Sequence, residues 1–174
     1  MAKADKVLKV PRKDTVLFES SINLAEDIRG NVIGILNKRL ADVIDVQYQA
    51  KFAHWNVKGK DFYQLHLLFD TIAEHLEEAA DSIAERITAL GGRANGTIRQ
   101  SAANSSVPEY DTELTDGMAH VATLADRLAA VANTGRDAAE ETDDLGDLVT
   151  SDMLTEIVGI ADKDLYFLEA HIQR

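Results

Sequence analysis

The sequence of 174 residues contains no cysteine. Disulfides, thiolate metal sites and cysteine nucleophiles are thereby excluded. Proline is scarce, at 2 residues, and glycine numbers 10, so long regular elements meet few interruptions. No long uncharged apolar run is present, which leaves nothing to span a membrane as a helix. Residues 1–14 lack the apolar centre of a secretory signal, so a cytoplasmic location is the expectation. Positive charge is also in deficit. Lys and Arg number 18 against 30 Asp and Glu, a net charge of −12. A body so charged repels duplex phosphates and does not bind nucleic acid broadly by its own field.

What remains is an ordinary globular composition, 45% hydrophobic and 28% charged, in a length that fits one domain with a real core. Residues 1–20 read as a basic tail. Lys3, Lys6, Lys9, Arg12 and Lys13 face only Asp5 and Asp14 within residues 1–14, and Pro11 opposes a helix there. Residues 21–174 read as the folded body.

Four helical stretches fill that body. The first spans about residues 25–57, with Val32, Leu36, Leu40 and Val43 at helical spacing and Gly59 after its end. The second repeats Phe62, Leu65, Phe69, Ile72, Leu76, Ile83, Ile87 and Leu90, with Asp61 as its N-cap and Gly91-Gly92 as its stop. The polar stretch 91–110 is long for a simple connection and has room for a short helix. The third helix spans about 112–141 and the fourth about 145–172, capped by Asp143 or Asp144. No segment alternates like a strand, and no repeat is evident. Four amphipathic helices with one long middle crossover make an all-α four-helix bundle.

One face of the second helix does not belong to its core. At about 100° per residue from Phe62, the apolar stripe clusters near about 280–340°. His66, Asp70, Asp81 and Glu85 fall near about 40–140°. Glu74, Glu77 and Glu78 share that side, and spacing alone favours a solvated acidic surface. The pairs His66/Asp70 and Asp81/Glu85, each at i and i+4, are nevertheless placed to grip a cation. Asp70 and Asp81 lie about 16 Å apart along the axis, so one chain cannot close both pairs on one small centre. Two copies packed antiparallel about a twofold axis can, and they form two equivalent sites. His54 lies one tight turn, Gly59-Lys60-Asp61, from His66. Imidazole with carboxylate suits Fe(II), Mn(II) or Zn(II). Trp55 is placed to donate an electron during oxidation, or else to act as a buried aromatic anchor.

The run His54-Trp55-Asn56-Val57-Lys58-Gly59, followed by Phe62, His66, Asp70, Asp81, Glu85-Arg86 and Leu90-Gly91-Gly92, resembles the Dps miniferritins, the DNA-protection proteins of starved bacterial cells. The spacing His-x11-His-x3-Asp-x10-Asp-x3-Glu is complete, and the likeness covers about residues 25–172. The resemblance implies a ferritin-like bundle, a shell of twelve subunits, and a ferroxidase centre across each dimer interface. His54, His66 and Asp70 would come from one chain, and Asp81 and Glu85 from its mate. It implies Fe(II) as substrate, hydrogen peroxide as the preferred oxidant with oxygen slower, and ferric mineral stored in the cavity; the donor types alone also admit Zn or Mn as competitors. Lys51 matches a position that contacts an Asp of the site. Glu141, Asp147 and Asp152 are candidates for an acidic pore admitting iron. Their segment is a few residues longer than the family pattern, and acids at a helix N-terminus would also suit the macrodipole. The larger ferritins use Glu-x-x-His pairs, and this chain has none. The alternative function is DNA condensation at the nucleoid through the basic tail.

Overall fold

A computed structural model describes residues 18–173. The tail residues Lys3, Lys6, Lys9, Arg12 and Lys13 lie outside them. Five helices are present among the described residues: α1 (Glu26–Asn56), α2 (Phe62–Ala89), α3 (Ile98–Asn104), α4 (Gly117–Asp144) and α5 (Leu148–Ile172). α1 pairs with α2 and α4 with α5. The two hairpins meet through α1 against α4 and α2 against α5, and the short α3 lies on α1. Four long helices thus form the bundle, and α3 occupies the crossover between its middle helices. None of the described helices is long and apolar enough to cross a membrane.

The core is mostly aliphatic. Leu36, Leu65, Ile72, Ile83, Leu124, Leu128 and Leu154 are all buried, with Phe69 the largest side chain fully enclosed. α1 is less cleanly amphipathic than α2 because it also holds the crossover. Asn37 donates to the Arg93 carbonyl (3.1 Å) and accepts from the Asn95 amide (2.9 Å). Buried Asp42 accepts from the Ser106 amide (2.7 Å) and hydroxyl (3.0 Å). Gln49 donates to the Pro108 carbonyl at 3.2 Å. Arg29 reaches the Leu90 carbonyl at 3.0 Å and satisfies the end of α2. Polar side chains on an inward face therefore replace water for a loop whose backbone would otherwise go unpaired. The described chain already joins the bundle at Phe18, whose amide donates to the Gly91 carbonyl at 2.6 Å.

One cap and two boundaries differ from the sequence expectation. Asp61 precedes α2, but its side chain makes no capping hydrogen bond. α4 begins at Gly117 rather than near Thr112, because Asp116 caps it by accepting from the Ala119 amide at 2.9 Å. The residues before it pair with the first turn of the other hairpin, where the Lys58 amide donates to the Thr115 carbonyl at 2.9 Å. α5 begins at Leu148 and is capped by Asp147, not by Asp143 or Asp144, which end α4. The reversal falls at Gly146, whose φ of +86° is costly for any residue with a Cβ.

Candidate metal centre

α1 ends two residues after His54, and α2 begins four before His66. The chain reverses through Gly59, with φ +113°. The hairpin brings the two imidazoles face to face, with centroids 3.7 Å apart and planes 19° from parallel. Each ring is held by the other residue's backbone. His54 Nδ1 donates to the His66 carbonyl at 2.7 Å, and His66 Nδ1 donates to the His54 carbonyl at 2.8 Å. A carbonyl can only accept, so both Nδ1 atoms carry hydrogen when the rings are neutral. Each Nε2 then keeps its lone pair. A backbone carbonyl fixing the tautomer in this way is the usual support of a metal-ligating histidine.

Asp70 stands beside this pair, with Oδ1 3.8 Å from His54 Nδ1. Lys51 Nζ donates to the same oxygen at 2.5 Å. That hydrogen bond holds the Asp70 carboxyl below its ordinary value, against a smaller upward push from burial and with the neighbouring His54 helping. Asp70 is thus an anion at neutral pH, with its second oxygen free of Lys51. Both partners are about one-third exposed, so the pair contributes little to stability, and its consequence is local charge. Trp55 is 57% exposed, which removes the buried-anchor reading for a single chain.

Asp81 and Glu85 lie further along the same side of α2, and both are exposed. Among the described residues of one chain, no three His, Asp or Glu side chains gather closely enough to hold a metal ion. Asp81 instead borders an open groove with Leu40, Ile44, Tyr48 and Ile98. Tyr48 and Ile98 are 48% and 65% exposed there, so apolar side chains and carboxylates share one uncovered face.

The ferritin-like domain family matches residues 33–174. The DNA protection during starvation protein of Agrobacterium fabrum is 40% identical over 87% of this chain and 93% of its own. The solved structure of DpsA14 from Streptomyces coelicolor superposes with a TM-score of 0.88 at 30% identity, covering 92% of this chain and 95% of that one. This chain belongs to the Dps miniferritin family. The Dps protein of Vibrio cholerae, described as a member of a broad superfamily of ferritin-like diiron-carboxylate proteins, superposes with a TM-score of 0.84 at 26% identity. It covers 88% of this chain and 96% of its own.

Within this Dps chain the acidic segment divides into two parts with different surroundings. Asp147 is 2% exposed and accepts from Arg86 Nη2 at 2.8 and 3.0 Å. It also accepts from the Thr150 hydroxyl at 2.5 Å and the Thr150 amide at 3.1 Å. Its oxygens are committed, so the expectation that it lines a pore is corrected: Asp147 ties α2 to the start of α5. Glu141 and Asp152 remain exposed. Glu141 lies in the last turn of α4, not at a helix N-terminus, so the macrodipole disfavours it there. Sequence reasoning passed over Asp42, Tyr110, His120 and Asp164 as buried polar positions. Asp42 has a local partner in Arg39 at i−3 (3.1 Å), a spacing open to sequence reading, whereas the partners of Tyr110, His120 and Asp164 lie ten or more residues away.

Proposed function

We propose that the protein oxidises Fe(II), preferring hydrogen peroxide to oxygen, at centres shared across a twofold dimer interface. It stores the ferric product inside a shell of twelve subunits. The observation that carries this reading is the reciprocal locking of His54 and His66, which leaves a lone pair on each Nε2, in a hairpin that also holds the anionic Asp70 3.8 Å from His54 Nδ1. Three donors are too few to close a site, and Asp81 and Glu85 are the exposed carboxylates that a twofold mate can supply. The groove bordered by Tyr48 and Ile98 is the surface that the mate covers.

The donors are mixed nitrogen and oxygen, which binds Fe(II) without trapping the ferric product. Zn(II) and Mn(II) suit the same donors and would compete. Peroxide takes one electron from each of two Fe(II) ions and, with two protons, leaves as two waters. No hydroxyl radical forms in that balance, and this is how the reaction protects nearby DNA. Trp55, next to His54 and exposed in one chain, is positioned to donate an electron at the interface. Exposed Glu141 and Asp152 are the carboxylates left to draw Fe(II) inward. The acidic body leaves any duplex contact to the basic residues Lys3, Lys6, Lys9, Arg12 and Lys13, and such contact would place the protein at the nucleoid as well as in the cytoplasm.

Alternating additions of Fe(II) and hydrogen peroxide, followed by a sizing column, test the proposal. Many ferric ions per chain should co-elute with a large particle. A particle free of iron, with ferric hydroxide formed outside it, would refute oxidation and storage together.

A further inference from the structure

Tyr110 and His120 form a buried polar pair that no step above uses. The Tyr110 hydroxyl lies 2.8 Å from His120 Nδ1. Tyr110 is 8% exposed and His120 is fully buried. His120 Nε2 is also buried and, among the described residues, makes no well-formed hydrogen bond, with the Leu114 carbonyl acting on the ring only weakly. An apolar pair would fill this space with no buried polar atom to satisfy, so packing alone does not explain the arrangement. The rings stack at 5.9 Å, with Phe52 at 5.4 Å from Tyr110 and Phe69 at 6.2 Å from His120. Phe52 follows Lys51 in the chain, and Phe69 precedes Asp70.

We infer that Tyr110 and His120 are a proton-coupled redox pair that supplies one electron when the iron centre meets peroxide with a single Fe(II) bound. The inference rests on the function proposed above. A buried phenol is hard to oxidise unless its proton leaves with the electron, and His120 Nδ1 is placed to take it. Burial keeps His120 neutral by lowering its pKa, against a weaker upward pull from the Leu114 carbonyl. Burial likewise raises the Tyr110 pKa, so the phenol holds its proton until an electron is drawn.

The step balances as follows. One electron comes from Fe(II) and one from Tyr110, and peroxide with two solvent protons becomes two waters. Fe(III), a neutral tyrosyl radical and a protonated His120 remain. A later Fe(II) returns the electron, and His120 returns the proton to the phenol oxygen. A half-loaded centre thereby avoids releasing hydroxyl radical.

The test uses the whole assembly, loaded with one Fe(II) per centre, mixed with excess peroxide and frozen for electron paramagnetic resonance. Ring-deuterated tyrosine identifies the radical. The wild type should give a tyrosyl signal that is lost in Tyr110→Phe, with more hydroxyl radical caught by a spin trap. His120→Leu, which removes the base, should lose the signal too. If it fails to assemble, Tyr110→Phe still decides, since it deletes only the hydroxyl. Iron oxidation is followed in the same samples. No oxidation in the wild type would sink the parent reading. Oxidation without a tyrosyl signal, or with an equal signal in Tyr110→Phe, would overturn this one alone.

Discussion

Alanine at both Asp81 and Glu85 is expected to abolish fast Fe(II) oxidation and leave the helices folded. Both side chains are exposed, and among the described residues their carboxylates make no hydrogen bond, so folding loses little. Surface changes of this kind stay within about 0.5 kcal/mol of wild type. The centre, in contrast, would lose every donor from the mate, and His54, His66 and Asp70 cannot close a site on their own. Mixing Fe(II) with peroxide in a stopped-flow instrument should show only the slow reaction of iron in buffer, while helical content and unfolding temperature hold. Unchanged kinetics would move the centre elsewhere.

Arg86→Met should have the opposite signature, a large loss of stability at a position one residue from a ligand. The Arg86 side chain is 14% exposed and that of Asp147 is 1% exposed. Removing one member of such a pair leaves the other charge buried, a cost of roughly 3–5 kcal/mol. Thr150 would still donate to Asp147, which favours the lower end of that range. Arg86 Nε also gives up its 2.8 Å hydrogen bond to the Thr150 hydroxyl. A urea or thermal titration should show the loss. Pairing Arg86→Met with Asp147→Asn should recover part of it, because the orphaned charge is then gone. A variant as stable as wild type would show that Asp147 does not depend on this partner.

The helices were legible because their apolar residues recur at three and four positions over many turns. The spacing places α2 to within a residue of its extent, Phe62 to Ala89, because Ala79 and Ala80 carry the stripe across the gap from Leu76 to Ile83 and glycines follow it. The ends of α4 and α5 were less legible for a physical reason. Residues 140–147 hold five acids, and three of them, Asp143, Asp144 and Asp147, are of the type that caps a helix. The choice falls on Asp147 because Gly146 turns the backbone there and Arg86, distant in sequence, waits for the carboxylate. The start of α4 is likewise set by a contact: a Cβ at Gly117 would fall 2.7 Å from Leu65 Cδ1, so close packing of the two hairpins fixes Asp116 as the cap. At the centre, four of the five candidate ligands fall into i,i+4 pairs, His54 enters only through the tight turn before His66, and the set of five comes from the family resemblance. The tautomer lock between His54 and His66 could not be read from spacing, since it depends on backbone carbonyls meeting across a turn. Tyr110 and His120 give no local signal because their side chains meet only when the crossover packs against α4.

The sharing of each centre between two chains is tested most directly by complementation. One variant carries His54→Ala, His66→Ala and Asp70→Ala, and the other carries Asp81→Ala and Glu85→Ala. Each alone should be inactive. In a mixed dimer, one of the two centres draws all its donors from the intact halves. Random pairing after co-expression should then restore about a quarter of the wild-type oxidation rate. Recovery to that level is the predicted result. A co-assembled particle with no recovery would contradict a centre built from two chains.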